Sequence, residues 1–170
     1  NRSVAAVIIT MGTRPVEFAR ALDSLRAQQG VDLDIVVVGN AWKPEGLPAG
    51  VKGHYSPVNL GIPGGRTAGT DLVSGDYLFY LDDDAWLPTT DVISRMLDIL
   101  QTRPEVGIVQ PRATDPDTGV TPSRCVPRLI AGDAARASVG TTLWEGAGML
   151  LPRDTLVRAG GWADGFFYAR

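Results

Sequence analysis

Short apolar runs alternate with longer periodic segments along this chain. Val4 to Ile9 is a continuous apolar run rich in β-branched residues, the pattern of a strand covered on both faces in a parallel sheet. Thr10 to Pro15 interrupts it with Thr, Gly and Pro. Pro15 suits the first turn of a helix, where its missing N–H is no loss. Val16, Phe18, Ala19, Leu22 and Leu25 then recur at helical spacing, and Gly30 predicts the stop. Leu33 to Val38 is a second buried-type strand, followed by a Pro- and Gly-containing loop from Asn40 to Gly50.

Lys52 to Ser56 predicts a short third strand. Gly64 to Val73 has helical character, with Gly65 and Gly69 expected on its surface. Tyr77 to Leu81 predicts a strand that runs directly into Asp82, Asp83 and Asp84. A helix over Asp91 to Gln101 follows, with Thr89 or Thr90 as cap and Val92, Ile93, Met96, Leu97 and Leu100 as apolar face. Pro104 breaks the chain. Val106 to Val109 predicts a strand, Pro111 to Gly140 a long irregular loop, and Trp144 to Leu151 a last strand. Arg153 to Ala159 is expected as a short helix closed by Gly160 and Gly161.

This alternation argues for an α/β fold with a mostly parallel central sheet and helices packed on it. No repeat or linker divides residues 1–170, so they read as a single domain. In such sheets ligands bind beyond the carboxyl ends of the strands. Three segments qualify: Thr10 to Arg14, Gly39 to Trp42, and Asp82 to Asp84.

Composition narrows the picture without changing it. Of 170 residues, 44% are hydrophobic and 21% charged, which is a globular balance. A net charge of −3 gives no electrostatic footprint for nucleic acid, so none is expected as a partner. Cys125 is the single cysteine, which excludes an intrachain disulfide and a thiolate metal cluster. Arg124 beside it leaves a reactive thiol conceivable, but an incidental cysteine is the simpler reading. No apolar run is long enough to span a bilayer. A cytoplasmic location is expected, with membrane association, at the inner face, only through parts outside these residues.

Two segments carry candidate chemistry. Three adjacent carboxylates at the end of a buried strand repel one another, and a cation would relieve that repulsion. Mg²⁺ and Mn²⁺ favour carboxylate oxygens, and Mg²⁺ commonly adds phosphate oxygens from a substrate. Side-chain alternation would put Asp82 and Asp84 on one side and Asp83 on the other. The competing reading is a solvated acidic turn before a helix. Upstream, Asn59 to Gly69 is glycine-rich, suiting close backbone approach to a ligand, and Arg66 has the planar fork that pairs with phosphate. The competing reading is a tight turn with Arg66 on the surface. Neither a Walker loop nor a Gly-x-Gly-x-x-Gly fingerprint occurs.

Taken together, Asn59-Leu60-Gly61, Gly64-Gly65-Arg66-Thr67-Ala68-Gly69, Gly75-Asp76-Tyr77 and Leu81-Asp82-Asp83-Asp84 resemble the motifs of inverting family 2 glycosyltransferases. Thr67 stands where the family usually has Asn. Val7 to Thr10 resembles the family's first strand, with Arg14 in the loop after it. Val36 to Asn40 resembles its second, although Gly39-Asn40 replaces an Asp that often contacts the base. Trp144 to Arg153 resembles the acceptor-side strand, and Gly160 to Phe167 a Gly-Gly-Phe-Asp-x-x-Phe-Phe stretch. Within the family the resemblance points to rhamnosyl- or galactofuranosyl-type transferases of cell-wall and polysaccharide biosynthesis, with the rhamnosyltransferase-like group as the expected subgroup.

The resemblance implies a GT-A type nucleotide-diphosphosugar transferase fold and a metal-dependent transfer, with inversion, of a sugar from a nucleoside diphosphate sugar to an acceptor hydroxyl. It implies donor contacts from Thr10, Arg14, Asn40, Asn59, Arg66, Asp82 and Asp83, and Mg²⁺ or Mn²⁺ on Asp82 and Asp84. The family's general base belongs to an acidic pair just after the Phe-Phe. The sequence stops at Arg170, so a C-terminal portion carrying that base is expected beyond it. Glu145 is the candidate catalytic carboxylate within these residues, and with Trp144 a candidate acceptor contact, the acceptor being a saccharide, a lipid-linked species or a small molecule. Glu145 is equally readable as a solvated charge, and Trp144 and Trp162 as packing residues. His54 reads as an ordinary surface residue. Two other functions fit less of the pattern: a nucleotidyltransferase making NDP-sugars, and a non-catalytic nucleotide- or carbohydrate-binding domain. The first normally has a Gly-rich basic loop after its first strand, whereas Thr10 to Arg14 has one Gly and no Lys.

Overall fold

The structure is a computed structural model describing residues 2–125, 146–163 and 165–167. Five strands form one sheet: β1 (Ser3–Thr10), β2 (Asp32–Asn40), β3 (Val51–Ser56), β4 (Tyr77–Asp82) and β5 (Gly148–Pro152). Their order is β3-β2-β1-β4-β5, and every pairing is parallel except β4 with β5. Among the described residues the α-helices are α1 (Pro15–Arg26), α2 (Gly61–Thr70), α3 (Val92–Thr102) and α4 (Arg153–Arg158).

The side-chain period of two along each strand divides the core into two layers. Val4, Ala6, Ile8, Ile35, Val37, Phe79, Leu81 and Leu150 point to one face. Ala21, Leu22 and Leu25 of α1 and Ile93, Met96, Leu97 and Leu100 of α3 cover them there. Ala5, Val7, Val36, Val38, Leu78, Tyr80, Met149 and Leu151 point to the other, with Leu156 of α4 and Trp162. α2 lies on this second face. The mostly parallel sheet with helices on both faces is thus observed as expected.

Four local expectations are corrected. First, α2 packs through its glycines rather than exposing them. A Cβ on Gly69 would lie 2.4 Å from Val7 Cγ1, and one on Gly65 would lie 3.0 Å from Ile9 Cδ1. The missing side chains let the helix backbone sit directly on the sheet. Second, α1 stops at Arg26, and Val16 and Ala19 face solvent, because the sheet reaches only the Ala21-Leu22-Leu25 side. Third, α3 is capped from a distance. Its N-cap residue Asp91 makes no side-chain cap bond, while Gln28 Oε1 accepts from the Ile93 N–H at 3.0 Å. The Gln28 amide donates to the Thr89 carbonyl at 2.6 Å, so one buried side chain fixes the turn before the helix. Fourth, Val106 to Val109 forms no strand. Val109 makes one antiparallel bridge to Leu150, with bonds of 2.8 and 2.9 Å, and Pro104 and Pro111 confine the segment.

No helix among the described residues is long and apolar enough to cross a membrane. Cys125 is half-buried at the end of a 3₁₀ turn, Ser123–Cys125.

Candidate functional site

The strand order reverses direction at β1: the chain steps from β1 outward to β2 and β3, then returns to β4 on its other side. The loops that leave the carboxyl ends of β1 and β4 there run to α1 and α3 on one face of the sheet, and such a carboxyl edge is where open parallel sheets hold ligands. Ile9 pairs with Asp82, so Thr10 and the acidic triplet meet at that edge.

Thr10 is buried, and its hydroxyl donates to Asp83 Oδ2 at 2.7 Å. The same hydroxyl oxygen accepts the Gly12 N–H at 3.0 Å, which folds the loop back over the strand end. Arg14 reaches the triplet from the start of α1. Its Nη2 donates to Asp83 Oδ1 at 2.9 Å and its Nη1 to Asp84 Oδ2. Asp83 is thus the buried member with both oxygens engaged, and Asp84 the exposed one.

Asp82 turns toward β5. Its Oδ2 accepts the Ala147 N–H at 2.8 Å, while its own N–H donates to the Ala147 carbonyl at 2.9 Å. Ala147 has φ of 59°, a left-handed conformation that costs energy without glycine and that these two bonds hold in place. Burial pushes the Asp82 carboxyl above the ordinary carboxylate range. The Ala147 N–H and the Arg66 charge act against that, and the Asp84 and Asp83 charges add to it. A desolvated carboxylate beside two like charges is a place where added positive charge is strongly favoured.

Arg66 is buried at 4% exposure, contrary to the surface alternative. Its guanidinium lies 5.4 Å from the Tyr80 ring centre and 4.7 Å from that of Trp162. Tyr80 and Trp162 meet edge to face with centroids 5.1 Å apart, and the Trp162 indole N–H donates to the Tyr80 hydroxyl at 3.0 Å. Burial pushes the Tyr80 hydroxyl pKa up, so it stays neutral. Trp162 is therefore a packing residue that holds Arg66 against the acidic strand.

Asn40 ends β2 and is buried. Its amide donates to the Gly61 carbonyl at 3.1 Å, and its Oδ1 faces the Leu60 N–H at 3.4 Å. Asn59 is exposed. It accepts the Gly61 N–H at 3.0 Å and donates to Met11 Sδ at 3.1 Å. Both asparagines shape the entry to α2, and Asn59 also ties it to the β1 loop. Trp42 was not singled out by the sequence beyond its segment. Its indole lies so close to Gly12 that a Cβ there would be 2.3 Å from Nε1, and its ring meets Phe18 edge-on at 6.1 Å. Gly12 in an otherwise bulky loop was the available signal. Trp144 and Glu145 lie outside the described residues, and His54 is half-buried on β3.

The geometry thus gathers Thr10, Arg14, Asp82, Asp83 and Asp84 at the carboxyl edge, with Arg66 beneath and Asn40 and Asn59 at the rim of α2. Residues 6–136 match the model of "Glycosyl transferase family 2". The chain belongs to glycosyl transferase family 2. No curated protein sequence matches this family member. Among solved structures it is similar to a mannosyltransferase from Pyrobaculum calidifontis in complex with GDP-Man and Mn²⁺, with TM-score 0.71 and 20% identity over 95% of this chain and 47% of that one. It is also similar to S. aureus TarS 1-349, with TM-score 0.59 and 14% identity over 72% of this chain and 39% of that one. The same TarS fragment in complex with UDP-GlcNAc gives TM-score 0.58 and 14% identity over 72% and 38%. These likenesses show the GT-A fold. The family 2 chain spans about half or less of the length of each.

Proposed function

We propose that this chain binds the donor in a glycosyltransferase that moves a sugar from a nucleoside diphosphate sugar to an acceptor hydroxyl, with inversion and with Mg²⁺ or Mn²⁺. The observation that carries the reading is the convergence of the β1 loop and the triplet of β4 at the reversal of strand order. That carboxyl edge is where a parallel sheet presents its ligand site, and its side chains suit a metal-diphosphate group. The solved neighbours in complex with GDP-Man and Mn²⁺ or with UDP-GlcNAc lend support.

The donor set fits a hard cation. Asp84 is exposed at the carboxyl edge, and Asp82 keeps Oδ1 beyond the bond that Oδ2 makes to Ala147. Among the described residues no three acidic, histidine or cysteine side chains form a metal cage by themselves. Such a partial set suits an ion that completes its shell with phosphate oxygens and water. We assign Asp82 and Asp84 to the cation, which when bound would neutralise charge on the departing diphosphate.

The chain's own residues do the rest. Asp83 orients Arg14 and Thr10 at the carboxyl edge. Arg14 offers a planar fork to the diphosphate. Arg66, fixed between two rings, supplies positive charge behind Asp82. Asn40 and Asn59 fix the α2 entry that forms the nucleotide side. The acceptor hydroxyl loses its proton to a carboxylate as it attacks the anomeric carbon opposite the leaving group. Glu145 and Trp144 remain the candidates for contact with the acceptor, and the rhamnosyltransferase-like group remains the proposed subgroup.

Calorimetric titration of UDP, TDP and GDP, with and without Mn²⁺, tests this on the parent and on Asp84→Ala. Metal-dependent binding lost in Asp84→Ala is expected, and the diphosphate that binds names the nucleotide of the donor. A folded parent that binds none of the three in either condition overturns the reading.

A further inference from the structure

Arg14 makes two bonds of different character. Its Nη2 bond goes to Asp83, which is buried and whose other oxygen already takes the Thr10 hydroxyl. Its Nη1 bond goes to Asp84 Oδ2, where the carboxylate is 46% exposed. The Arg14 side chain is itself 49% exposed and springs from the residue just before α1, so it can change partner without opening the core. Asp84 is also the carboxylate assigned to the cation. A guanidinium and a divalent ion held by one carboxylate repel each other, so each weakens the other's hold on it.

We propose that Arg14 is an exchange residue. It competes with the divalent cation for Asp84, and it moves to the diphosphate when a nucleotide enters. The inference rests on the donor-site reading above. Its consequence is a linkage. Metal alone must displace Arg14 from Asp84, whereas metal arriving with a diphosphate finds Arg14 offered a bidentate phosphate partner. Metal and nucleotide therefore bind with positive cooperativity, each raising the affinity for the other by the same factor. Arg14 is in this sense a positioning residue for the metal as well as a donor contact.

The test measures Mn²⁺ binding from the spin-resonance signal of the unbound ion, with no nucleotide, with UDP and with GDP. It uses the parent, Arg14→Gln and Arg14→Lys, each checked for folding by circular dichroism and thermal unfolding. For the parent, the nucleotide that binds is expected to tighten Mn²⁺ binding by about tenfold or more, within the usual range of coupling. Arg14→Gln is expected to bind Mn²⁺ alone about five- to tenfold more tightly than the parent, with a smaller coupling, the remainder being what phosphate oxygens on the cation supply. Arg14→Lys, which keeps the charge but loses the fork, is expected to fall between the two.

Tighter Mn²⁺ binding with unchanged coupling would reflect only the removal of a nearby positive charge, and would overturn the exchange. Unchanged Mn²⁺ binding in Arg14→Gln would overturn it as well. In both cases the donor-site reading survives, because the parent still binds metal and nucleotide. A folded parent that binds no Mn²⁺ under any of the three conditions overturns both.

Discussion

The Thr10 hydroxyl joins the carboxyl ends of two neighbouring parallel strands by donating to Asp83 Oδ2 at 2.7 Å. The contact is buried, and the same hydroxyl oxygen accepts the Gly12 N–H at 3.0 Å. One small side chain thus orients a carboxylate and fixes the loop that carries Arg14. Thr10→Val keeps the shape and removes both bonds. It leaves a buried carboxylate oxygen and a backbone N–H unpaired, at a cost of about 1–3 kcal/mol. Thr10→Ser should recover most of that. Urea unfolding of the three proteins checks it, and equal stability of Val and Thr at this position would contradict the assignment.

The glycines of α2 should resist even a methyl group. A Cβ on Gly69 would meet Val7 Cγ1 at 2.4 Å and Val38 Cγ2 at 3.0 Å. Alanine gains about 1 kcal/mol of helix propensity over glycine, but overpacking a tight core costs about 1–3 kcal/mol. Gly69→Ala is expected to destabilise on balance, and to push α2 and Arg66 off the sheet, weakening nucleotide binding as well. Chemical denaturation together with the calorimetric titration checks both parts. A stabilised Gly69→Ala protein would mean that the helix has room.

Gln28 has no place in any local capping pattern, yet it links the end of α1 to the start of α3 through the Ile93 N–H and the Thr89 carbonyl. Gln28→Ala is expected to cost about 1–2 kcal/mol, in the range of a lost helix cap plus an unpaired carbonyl. Hydrogen exchange should speed up first at the α3 N-terminus, around Val92 to Arg95.

These cases mark what the chain discloses locally. The strands β1, β2 and β4 were readable because burial on both faces demands unbroken apolar runs, and Asp82 to Asp84 stood out as the abrupt end of one. The order β3-β2-β1-β4-β5 follows from such units only once they pack. Gly65 and Gly69 were misplaced because a helix that packs through absent side chains leaves no apolar stripe to read. The Gln28 cap bridges 65 positions, so no window along the sequence contains it. The Arg66–Tyr80–Trp162 stack was hidden for the same reason. Asp82 could be named as acidic but not as the residue that holds Ala147 in a left-handed conformation.

Acid should weaken the fold partly through Asp34. Burial pushes this carboxyl up, but hydrogen bonds from Lys52 and the Ser74 N–H, with the Lys52 and Arg153 charges, outweigh it and leave the pKa below 3.8. A carboxylate with a depressed folded value contributes stability that is fully present above its unfolded value. That contribution is lost as pH falls from there through the folded value. The Lys52 side chain is half exposed, so the effect is small, about 0.2–1 kcal/mol. Asp34→Asn should flatten stability against pH below about 4 and leave the curve above it parallel to the parent. Urea midpoints measured from pH 3 to 7 check this; an unchanged acid limb would count against it.

Asp82 should show stability and function pulling apart. Its carboxylate is desolvated and lies beside two like charges, which disfavours the charged form in the protein alone, yet its Oδ2 is the acceptor that holds Ala147. Asp82→Asn keeps an acceptor oxygen and removes the charge. The variant is expected to gain about 0.5–2 kcal/mol, the usual yield of relaxing a site built for function. It should lose affinity for Mn²⁺ and for nucleotide in the presence of Mn²⁺, because half of the assigned carboxylate pair is neutral. Asp82→Ala removes the acceptor as well. It should unfold more readily than Asp82→Asn, since the Ala147 N–H loses its partner and the left-handed turn its restraint. Thermal unfolding without ligand, set beside the Mn²⁺ titration, separates the two roles. If Asp82→Asn were both less stable and fully competent for metal, Asp82 would be a purely structural residue, and the cation would have to rely on Asp84 and Asp83.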